Sequence, residues 1–260
     1  MPSRRPRRND ALSAALGYFR DLGVRELHLA APPAIEAPAS ARPGAVPDEG
    51  VAVPSSRPAS VRGPAVPDLP DLDALRATVA ACELCGLCRT RTQTVFADGT
   101  GRSRIMFVGE APGADEDATG VPFVGRAGQL LTKMIGAMGL DRADVYIANV
   151  LKCRPPGNRN PEPAEIAACR PYLEAQIEAV KPAVLVAMGK FAAQFLLETE
   201  EPITRLRGRW GTRQGIAVMP TFHPSFLLRQ PERKKEAWED LQQVLRKLGL
   251  PVPGRKEAGP

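Results

Sequence analysis

Two pairs of cysteines restrict how this chain can fold. Two residues separate Cys82 from Cys85, 15 separate Cys153 from Cys169, and 67 lie between the pairs. In a reducing compartment, cysteines at such spacing are more often metal ligands than disulfide partners, so folding must bring the pairs together. Four thiolates favour an iron–sulfur cluster, with zinc as the alternative, although zinc ribbons usually have two short C-x-x-C pairs. Cys88 is left over.

The chain divides into four segments. Residues 1–30 contain an amphipathic helical pattern, with Leu12, Leu16, Phe19 and Leu22 at helical spacing. Residues 31–70 hold ten of the 27 prolines, a composition that predicts a disordered linker. Residues 71–250 alternate apolar runs with helical patterns and are long enough for one substantial domain. Residues 251–260 form a predicted flexible tail.

Charge and hydropathy indicate a partner and a location. The net charge of +6 favours a polyanionic partner, because clustered Lys and Arg bind phosphates. The basic residues 1–8 lack the apolar stretch of a signal peptide, and no segment approaches the roughly 20 apolar residues of a membrane span. We therefore expect a cytoplasmic protein that does not enter membranes.

The region from residue 71 onward predicts a three-layer α/β/α fold around a mainly parallel, four-stranded sheet. The four predicted strands are residues 105–109, 145–150, 183–188 and 216–219, and residues 161–180 predict a helix that begins with prolines. Glu110, Asn149 and His223 lie near the carboxyl ends of these strands. Because open α/β sheets bind ligands at that edge, we expect these side chains to share one pocket.

Each of these residues also has a structural interpretation. Asn149 in an apolar strand is either a structural bridge or a ligand reader, because a buried amide must be hydrogen-bonded. His223 is one of two histidines and is the only one in the predicted domain, but it could be a structural histidine. Phe123 lies between glycines and is either core or a stacking wall. The GEAPG sequence at residues 109–113 could be a simple turn.

Four longer motifs, taken together, resemble family 4 uracil-DNA glycosylases. The resemblance covers roughly residues 75–248 and includes the four paired cysteines. Its motifs are GEAPGADED at residues 109–117, GVPFVGRAG at 120–128, NVLKCRPPGNR at 149–159 and HPSFLLR at 223–229. The resemblance implies a uracil-DNA glycosylase fold, a 4Fe-4S cluster on Cys82, Cys85, Cys153 and Cys169, and uracil-containing DNA as substrate.

The resemblance also implies roles for individual residues. Such enzymes flip uracil out of DNA and hydrolyse its bond to deoxyribose, leaving an abasic site. Phe123 would stack on the base, Asn149 would read its edge, and His223 would donate to O2 as negative charge develops there. Gly109 and Ala111 would also lie against the base.

Glu110 and Glu116 are the predicted carboxylates of the reaction. Either could orient water, favour the cationic sugar or crowd the methyl group of thymine. Other uracil-DNA glycosylase families place a water-activating Asp or Asn at the position of Ala111, and alanine cannot do this. Glu110 is therefore the predicted replacement.

The last motif suggests a DNA-binding device. Leu227 and Leu228 on an exposed loop would wedge into the vacated base stack, while Arg229 reaches phosphate. Ordinary packing at the start of a helix is the alternative. Lys152, Arg154 and Arg159 would contact the DNA backbone from a loop that the cluster rigidifies. We expect a monomer, and no motif specifies a sliding clamp or a polymerase as partner.

Two other functions compete with uracil excision. One branch of the superfamily becomes covalently trapped on abasic DNA through a histidine in a Lys-Arg-Arg-Ile-His insertion. Residues 153–158 occupy that place and contain no histidine. The other alternative is a non-catalytic iron–sulfur protein that binds DNA or senses redox state, which would not need Phe123, Asn149 and His223 to converge.

Overall fold

The computed structural model describes residues 71–253. The predicted N-terminal helix, the predicted linker in residues 31–70 and most of the predicted tail lie outside these residues. None of the helices in the described region is long and apolar enough to cross a membrane.

Helices and strands alternate along the described chain. The eight α-helices are α1 Leu72–Ala80, α2 Ala114–Thr119, α3 Arg126–Ala137, α4 Pro163–Val180, α5 Lys190–Leu197, α6 Ile203–Leu206, α7 Pro224–Arg229 and α8 Lys234–Lys247. Short 3-10 turns span Gly86–Arg89, Pro156–Asn158 and Pro231–Arg233. The strands are β1 Ile105–Gly109, β2 Tyr146–Asn149, β3 Val184–Met188, β4 Gly211–Arg213 and β5 Ile216–Thr221.

The sheet has the order β2-β1-β3-β5-β4. The first four strands in this order are parallel and correspond to the four predicted strands. Sequence reasoning missed β4, a three-residue strand that pairs antiparallel with β5 at the edge of the sheet. It also ended the last parallel strand two residues early, since β5 extends to Thr221.

Helices cover both faces of the sheet, which confirms the three-layer α/β/α prediction. Alternate side chains of β1 point to opposite faces, as the twofold period of a strand requires. Ile105 and Phe107 join the core cluster under α3, α7 and α8, whereas Met106 and Val108 join the cluster under α1, α4 and α5. Every residue of β1, β2 and β3 is buried, as expected for a parallel sheet covered on both sides.

The long helix α4 carries one of the paired cysteines and has a well-formed start. Glu162 is its N-cap and Pro163 its first residue, where the missing N–H of proline costs nothing. The carboxylate of Glu165 accepts a hydrogen bond from the Glu162 backbone N–H at 2.9 Å. The helix therefore begins at a fixed point, 6 residues before Cys169.

Candidate active site and cysteine site

A cavity of about 220 Å³ lies at the carboxyl ends of the parallel strands. Ligand pockets usually have volumes of roughly 300–1,000 Å³, so this cavity suits a single small ring. It brings together the predicted Glu110, Ala111, Glu116, Phe123, Asn149 and His223 with Pro112, Gly113, Ala127, Pro155, Asn158, Arg159 and Ser225.

Asn149 ends β2 and lies in the wall of this cavity. Its side chain is 1% exposed, and its Oδ1 has no hydrogen-bond partner among the described residues. Leaving a buried acceptor without a donor costs about 1–3 kcal/mol, so the arrangement suits a group that a ligand completes. The structural-bridge interpretation of Asn149 does not account for this unsatisfied oxygen.

Gly109 lies beside Asn149 in the neighbouring strand β1. It is not among the residues that line the cavity, and its predicted contact with the base stays a prediction. A Cβ at this position would collide with Asn149 Oδ1 and with the ring of Phe123. Gly109 therefore acts by leaving room for these two side chains.

Phe123 forms a second wall of the cavity on the loop between α2 and α3. Its backbone has a φ of 54°, which is unusual for a residue other than glycine, and its side chain is 6% exposed. The ring centroid lies 5.6 Å from that of His223. The surrounding loop must hold this backbone conformation.

Glu116 is the first of two side chains that hold this loop. Its Oε1 accepts hydrogen bonds from the backbone N–H groups of Val124 (2.9 Å) and Gly125 (3.0 Å), and its Oε2 accepts one from Gly113 (3.0 Å). The carboxylate was predicted to act in the reaction. Three backbone donors instead occupy it, so its contacts are those of a loop clamp.

Arg142 is the second clamp, and sequence reasoning missed it. Its guanidinium donates to the backbone oxygen of Pro122 at 2.7 Å, to Thr132 Oγ1 at 3.0 Å and to Asp98 at 2.8 Å. The side chain thus ties the residue before Phe123 to α3 and to the segment preceding β1. No local sequence pattern signals a contact between residues 20 positions apart.

His223 follows β5 and is the N-cap of α7. Its Nδ1 accepts a hydrogen bond from the Ser225 backbone N–H at 3.1 Å and lies 2.8 Å from Ser225 Oγ. A ring whose Nδ1 accepts carries its proton on Nε2 when neutral. Burial, and then the charge of Arg229, lower the pKa of His223 to about 4. The imidazole is therefore a neutral hydrogen-bond donor at ordinary pH.

Glu110 also lines the cavity and directly follows β1. Within the described residues its carboxylate has no hydrogen-bond partner, in contrast to Glu116. Burial raises its pKa, and the positive charge of Lys190 opposes that rise. Of the two predicted carboxylates, Glu110 is the one that remains available to a ligand or a water molecule.

The loop after β2 lines part of the cavity. Arg154 donates through Nε to Asn158 Oδ1 at 2.8 Å, and Arg159 forms a two-bond ion pair with Glu165 at 2.6 and 2.9 Å. Asn158 and Arg159 line the cavity, whereas Arg154 does not. These contacts fasten the loop to the start of α4.

Lys152 does not fit its predicted contact with DNA. Its side chain is 1% exposed, and its Nζ donates to the backbone oxygen of Asn149 at 2.7 Å and to Gln176 Oε1 at 2.5 Å. Burial lowers its pKa to about 8. The prediction assumed that this lysine is exposed, as lysines in loops usually are. It was wrong because the side chain is buried, which the neighbouring residues in the sequence do not indicate.

The predicted apolar wedge is also wrong in part. Leu227 is fully buried in the core, and Leu228 is partly buried against the same cluster. Pro224 sits at the first turn of α7, and His223 caps it, so the segment forms a helix rather than an exposed loop. The alternative of helix-start packing holds for Leu227, while Arg229 at the helix end is exposed.

The paired cysteines come together at a second cavity. Cys82, Cys85, Cys153 and Cys169 line one small cavity with Cys88, Arg91, Lys152, Tyr172 and apolar side chains. Among the described residues, the side chains do not form a preassembled metal-binding group. The predicted convergence of the two pairs is nevertheless present, and Cys88 adds a fifth sulfur.

The surroundings of the sulfur atoms fit a metal cluster. Cys153 Sγ accepts from Arg91 at 3.3 Å, and Cys169 Sγ accepts from the Lys152 backbone N–H at 3.3 Å. Such N–H donors to sulfur are one means of tuning iron–sulfur sites. Burial raises the pKa of the Cys169 thiol to about 12, so a thiolate here would need a bound cation for compensation.

Comparisons with known proteins identify the family of this chain. The model of the uracil DNA glycosylase superfamily matches residues 96–242. The type-4 uracil-DNA glycosylase of Archaeoglobus fulgidus is 45% identical over 166 residues, which are 60% of this chain and 82% of the relative. That of Thermotoga maritima is 49% identical over 160 residues, covering 59% of this chain and 82% of the relative.

A more distant relative belongs to another type. The type-5 uracil-DNA glycosylase of Pyrobaculum aerophilum is 34% identical over 140 residues, which cover 47% of this chain and 62% of the relative. Identity is thus higher, and coverage greater, for the type-4 relatives. This chain belongs to the type-4 family of the uracil-DNA glycosylase superfamily.

Proposed function

We propose that this chain excises uracil from DNA by hydrolysing the bond between uracil N1 and C1′ of deoxyribose. The observation that carries the proposal is the buried, unsatisfied Oδ1 of Asn149 in a cavity walled by Phe123 and His223. Its family membership supports the same reaction. The products are free uracil and an abasic site, as in base excision repair of DNA.

Recognition of uracil rests on Asn149 and Phe123. The amide oxygen of Asn149 accepts from uracil N3–H, and its NH₂ group donates to O4. Cytosine presents an acceptor at N3 and a donor at C4, so the same amide orientation is mismatched to it. Stacking on Phe123 helps to offset the few kcal/mol that extrusion of a base from the duplex costs.

Bond cleavage leaves negative charge on the base. Water adds to C1′ and loses a proton, and the electron pair of the C1′–N1 bond departs with uracil, whose O2 carries much of the charge. The uracil anion then takes up a proton from solvent, so that the products are neutral uracil and the abasic sugar. Neutral His223 donates its Nε2–H to O2. Its Nδ1 accepts a hydrogen bond from the Ser225 backbone N–H, which keeps the ring proton on Nε2. Removing one such donor commonly costs about 10²–10³ in rate.

Glu110 serves the sugar side of the reaction. Its carboxylate lines the cavity without a hydrogen-bond partner in the described region, so it can orient the attacking water. An ionised carboxylate also favours positive charge on the sugar as the bond breaks. Glu116 acts through the loop that carries Phe123 and is a positioning residue.

The cysteine site fits a 4Fe-4S cluster held by Cys82, Cys85, Cys153 and Cys169. When bound, the cluster supplies a covalent cross-link between the segment after α1, the loop after β2 and α4. Hydrolysis involves no change of oxidation state, so we assign the site to structural support. For the DNA, we propose Arg154 and the exposed Arg229 as phosphate contacts, with Leu228 as a weaker contact to the duplex.

The proposal is tested with a labelled oligonucleotide that contains a single uracil and is cleaved at abasic sites by alkali. We expect scission only at uracil, none at thymine in the same position, and a loss of about 10²–10³ in rate for His223→Ala. His28→Ala, which replaces the other histidine, is the matched control and should keep the wild-type rate. DNA binding without scission would support the non-catalytic alternative instead.

A further inference from the structure

Lys152 is a buried cation whose contacts connect the two sites. Its Nζ donates to the backbone oxygen of Asn149 at 2.7 Å and to Gln176 Oε1 at 2.5 Å. Gln176 in turn donates to the backbone oxygen of Phe96 at 3.1 Å and to the hydroxyl of Tyr146 at 3.2 Å. All of these groups lie in the core between β2 and α4.

The backbone of the same residue contacts the cysteine site. The Lys152 N–H donates to Cys169 Sγ at 3.3 Å, and the next residue in the chain is Cys153. One residue therefore bonds a cysteine sulfur through its main chain and the base-reading Asn149 through its side chain. No other described residue contacts both Asn149 and a cysteine sulfur by hydrogen bonds.

The nearby cysteines do not account for the direction of the Lys152 side chain. Negative charge on Cys169 and Cys153 would favour a charged ammonium here. Its Nζ nevertheless bonds two neutral oxygens, those of Asn149 and Gln176, rather than a sulfur. The position of Nζ therefore requires an explanation other than compensation of charge.

The contact with Asn149 supplies that explanation. The ladder between β1 and β2 ends at Asn149, and the next two backbone N–H groups bond to Gly109 and Glu110. Within residues 71–253, the backbone oxygen of Asn149 accepts a side-chain hydrogen bond only from Nζ of Lys152. Without it, the peptide plane is held on one side only, and a rotation there would displace the side-chain amide that must meet uracil within about 0.5 Å.

We propose that Lys152 is a positioning residue for uracil recognition, which holds the Asn149 peptide and connects its orientation to the cysteine site. The inference rests on the proposed function. It differs from a purely structural role because it requires Lys152 to act through Asn149. Its effect on the reaction should therefore vanish when the Asn149 amide is absent.

A double-mutant cycle tests this requirement. Lys152→Met keeps the length of the side chain and removes the ammonium, and we expect it to lower kcat/KM for uracil about 10- to 100-fold, the range for misplacement of a site group by up to 1 Å. In an Asn149→Ala background the same change should lower kcat/KM less than about threefold. Lys133→Met, on the exposed side of α3, is the matched control and should have no effect.

Two readouts separate positioning from damage to the fold. Affinity for DNA containing an abasic site and the iron content per chain should match the wild type, because neither depends on the Asn149 amide. Equal losses in both backgrounds, or losses that follow a fall in iron content, would overturn the proposal. If Lys152→Met does not fold, Gln176→Leu takes its place in the cycle, and additive effects there would overturn it equally.

The wild-type protein distinguishes this inference from the proposed function. Uracil release by the wild type together with additive losses rejects the role of Lys152 alone. Absence of uracil release by iron-replete wild type rejects the proposed function, and with it the inference.

Discussion

The unsatisfied oxygen of Asn149 lowers the stability of the free protein but is available to bind uracil. A buried acceptor without a donor destabilises the free protein by about 1–3 kcal/mol, which a bound uracil N3–H would return. Most buried polar groups in proteins have a partner. Of the two unpaired atoms in the described region, Asn149 Oδ1 and Arg213 Nε, only the first belongs to a residue that lines the cavity. Lys152 and Gly109 fix the surroundings of the amide without satisfying Oδ1.

Replacement of Asn149 by leucine should therefore separate stability from activity. Asn149→Leu removes the unsatisfied oxygen and keeps the branched shape and the number of side-chain heavy atoms, and we expect a melting temperature equal to or above that of the wild type. Uracil release should fall by at least about 10², because the edge contacts are lost. Thermal unfolding and a release assay measure the two effects, with exposed Asn160→Leu as control. A melting temperature several degrees lower would show that the oxygen is satisfied in the free protein.

His223 predicts a specific pH dependence of stability. Its pKa is lowered to about 4, whereas the ordinary value is 6.5, so the unfolded chain takes up a proton at a higher pH than the folded chain. The stability that neutral His223 contributes is complete above pH 6.5 and declines as the pH falls toward 4. His223→Gln cannot gain this proton and should lose less stability than the wild type between pH 7.5 and 5.

Denaturant unfolding at these two pH values measures the difference. His28 and the carboxyl groups are the same in both proteins, so their contributions cancel. An identical loss of stability in wild type and His223→Gln would contradict the lowered pKa and the assignment of a neutral imidazole.

At the scale of elements, the loop between α2 and α3 is held at two points. The carboxylate of Glu116 accepts hydrogen bonds from three backbone N–H groups, and Arg142 donates one to the backbone oxygen of Pro122. Hydrogen bonds to a charged group contribute about 1.5–3 kcal/mol each, enough to maintain the unusual backbone of Phe123. The aromatic wall therefore depends on contacts from outside its own loop.

Glu116→Gln tests this clamp. The amide has one acceptor oxygen, and its NH₂ group would face backbone donors, so we expect faster hydrogen exchange at Val124 and Gly125. Uracil release should fall about 10- to 100-fold through loss of the Phe123 wall. The exposed neighbour Asp115→Asn is the matched control. If the hydrogen exchange at Val124 and Gly125 stays at the wild-type rate while activity is lost, Glu116 acts directly in the reaction and the clamp interpretation is wrong.

The four parallel strands were predictable because each is a short apolar run that leads to a polar residue or a glycine. The edge strand β4 was not, since three residues with mixed burial carry no apolar pattern. The HPSFLLR motif was assigned to a loop, although proline at a first helical turn and a histidine N-cap are helix-start signals. Leu227 is buried for that reason.

The pocket residues Glu110, Phe123, Asn149 and His223 were predictable because strand ends meet at one edge of a sheet, and because the motifs resemble a known family. The roles of Glu116, Arg142 and Lys152 were not predictable. Each depends on a hydrogen bond whose partner is fixed by packing rather than by local pattern. The site was therefore accessible to sequence reasoning, and the residues that support it were not.

At the scale of the whole molecule, the cysteine site joins distant parts of the chain. The cysteine pairs are separated by 67 residues that include β1 and β2, so ligation would close a long loop and restrict the unfolded chain. Arg91 adds to the connection, since it donates to Cys153 Sγ and to the backbone oxygens of Cys82 and Ala80. The site should contribute to the stability of the entire domain.

Single replacements of the cysteines test the ligand set. Cys169→Ser should lower the iron content and the melting temperature, because serine does not replace a thiolate in a soft site. Cys88→Ser should retain both, although Cys88 lines the same cavity. Iron analysis and thermal unfolding of anaerobically purified protein measure the effects. Loss of iron in Cys88→Ser but not in Cys169→Ser would assign the cluster to a different set of cysteines.

The central claim is that the Asn149 amide selects uracil for excision, and base selectivity tests it most directly. Free base released from three matched oligonucleotides, with uracil, cytosine or thymine at one position, is quantified for wild type and Asn149→Leu. We predict that the wild type releases uracil alone and that Asn149→Leu releases at least about 10² less. Release of cytosine at a comparable rate, or full uracil release by Asn149→Leu, would contradict the account.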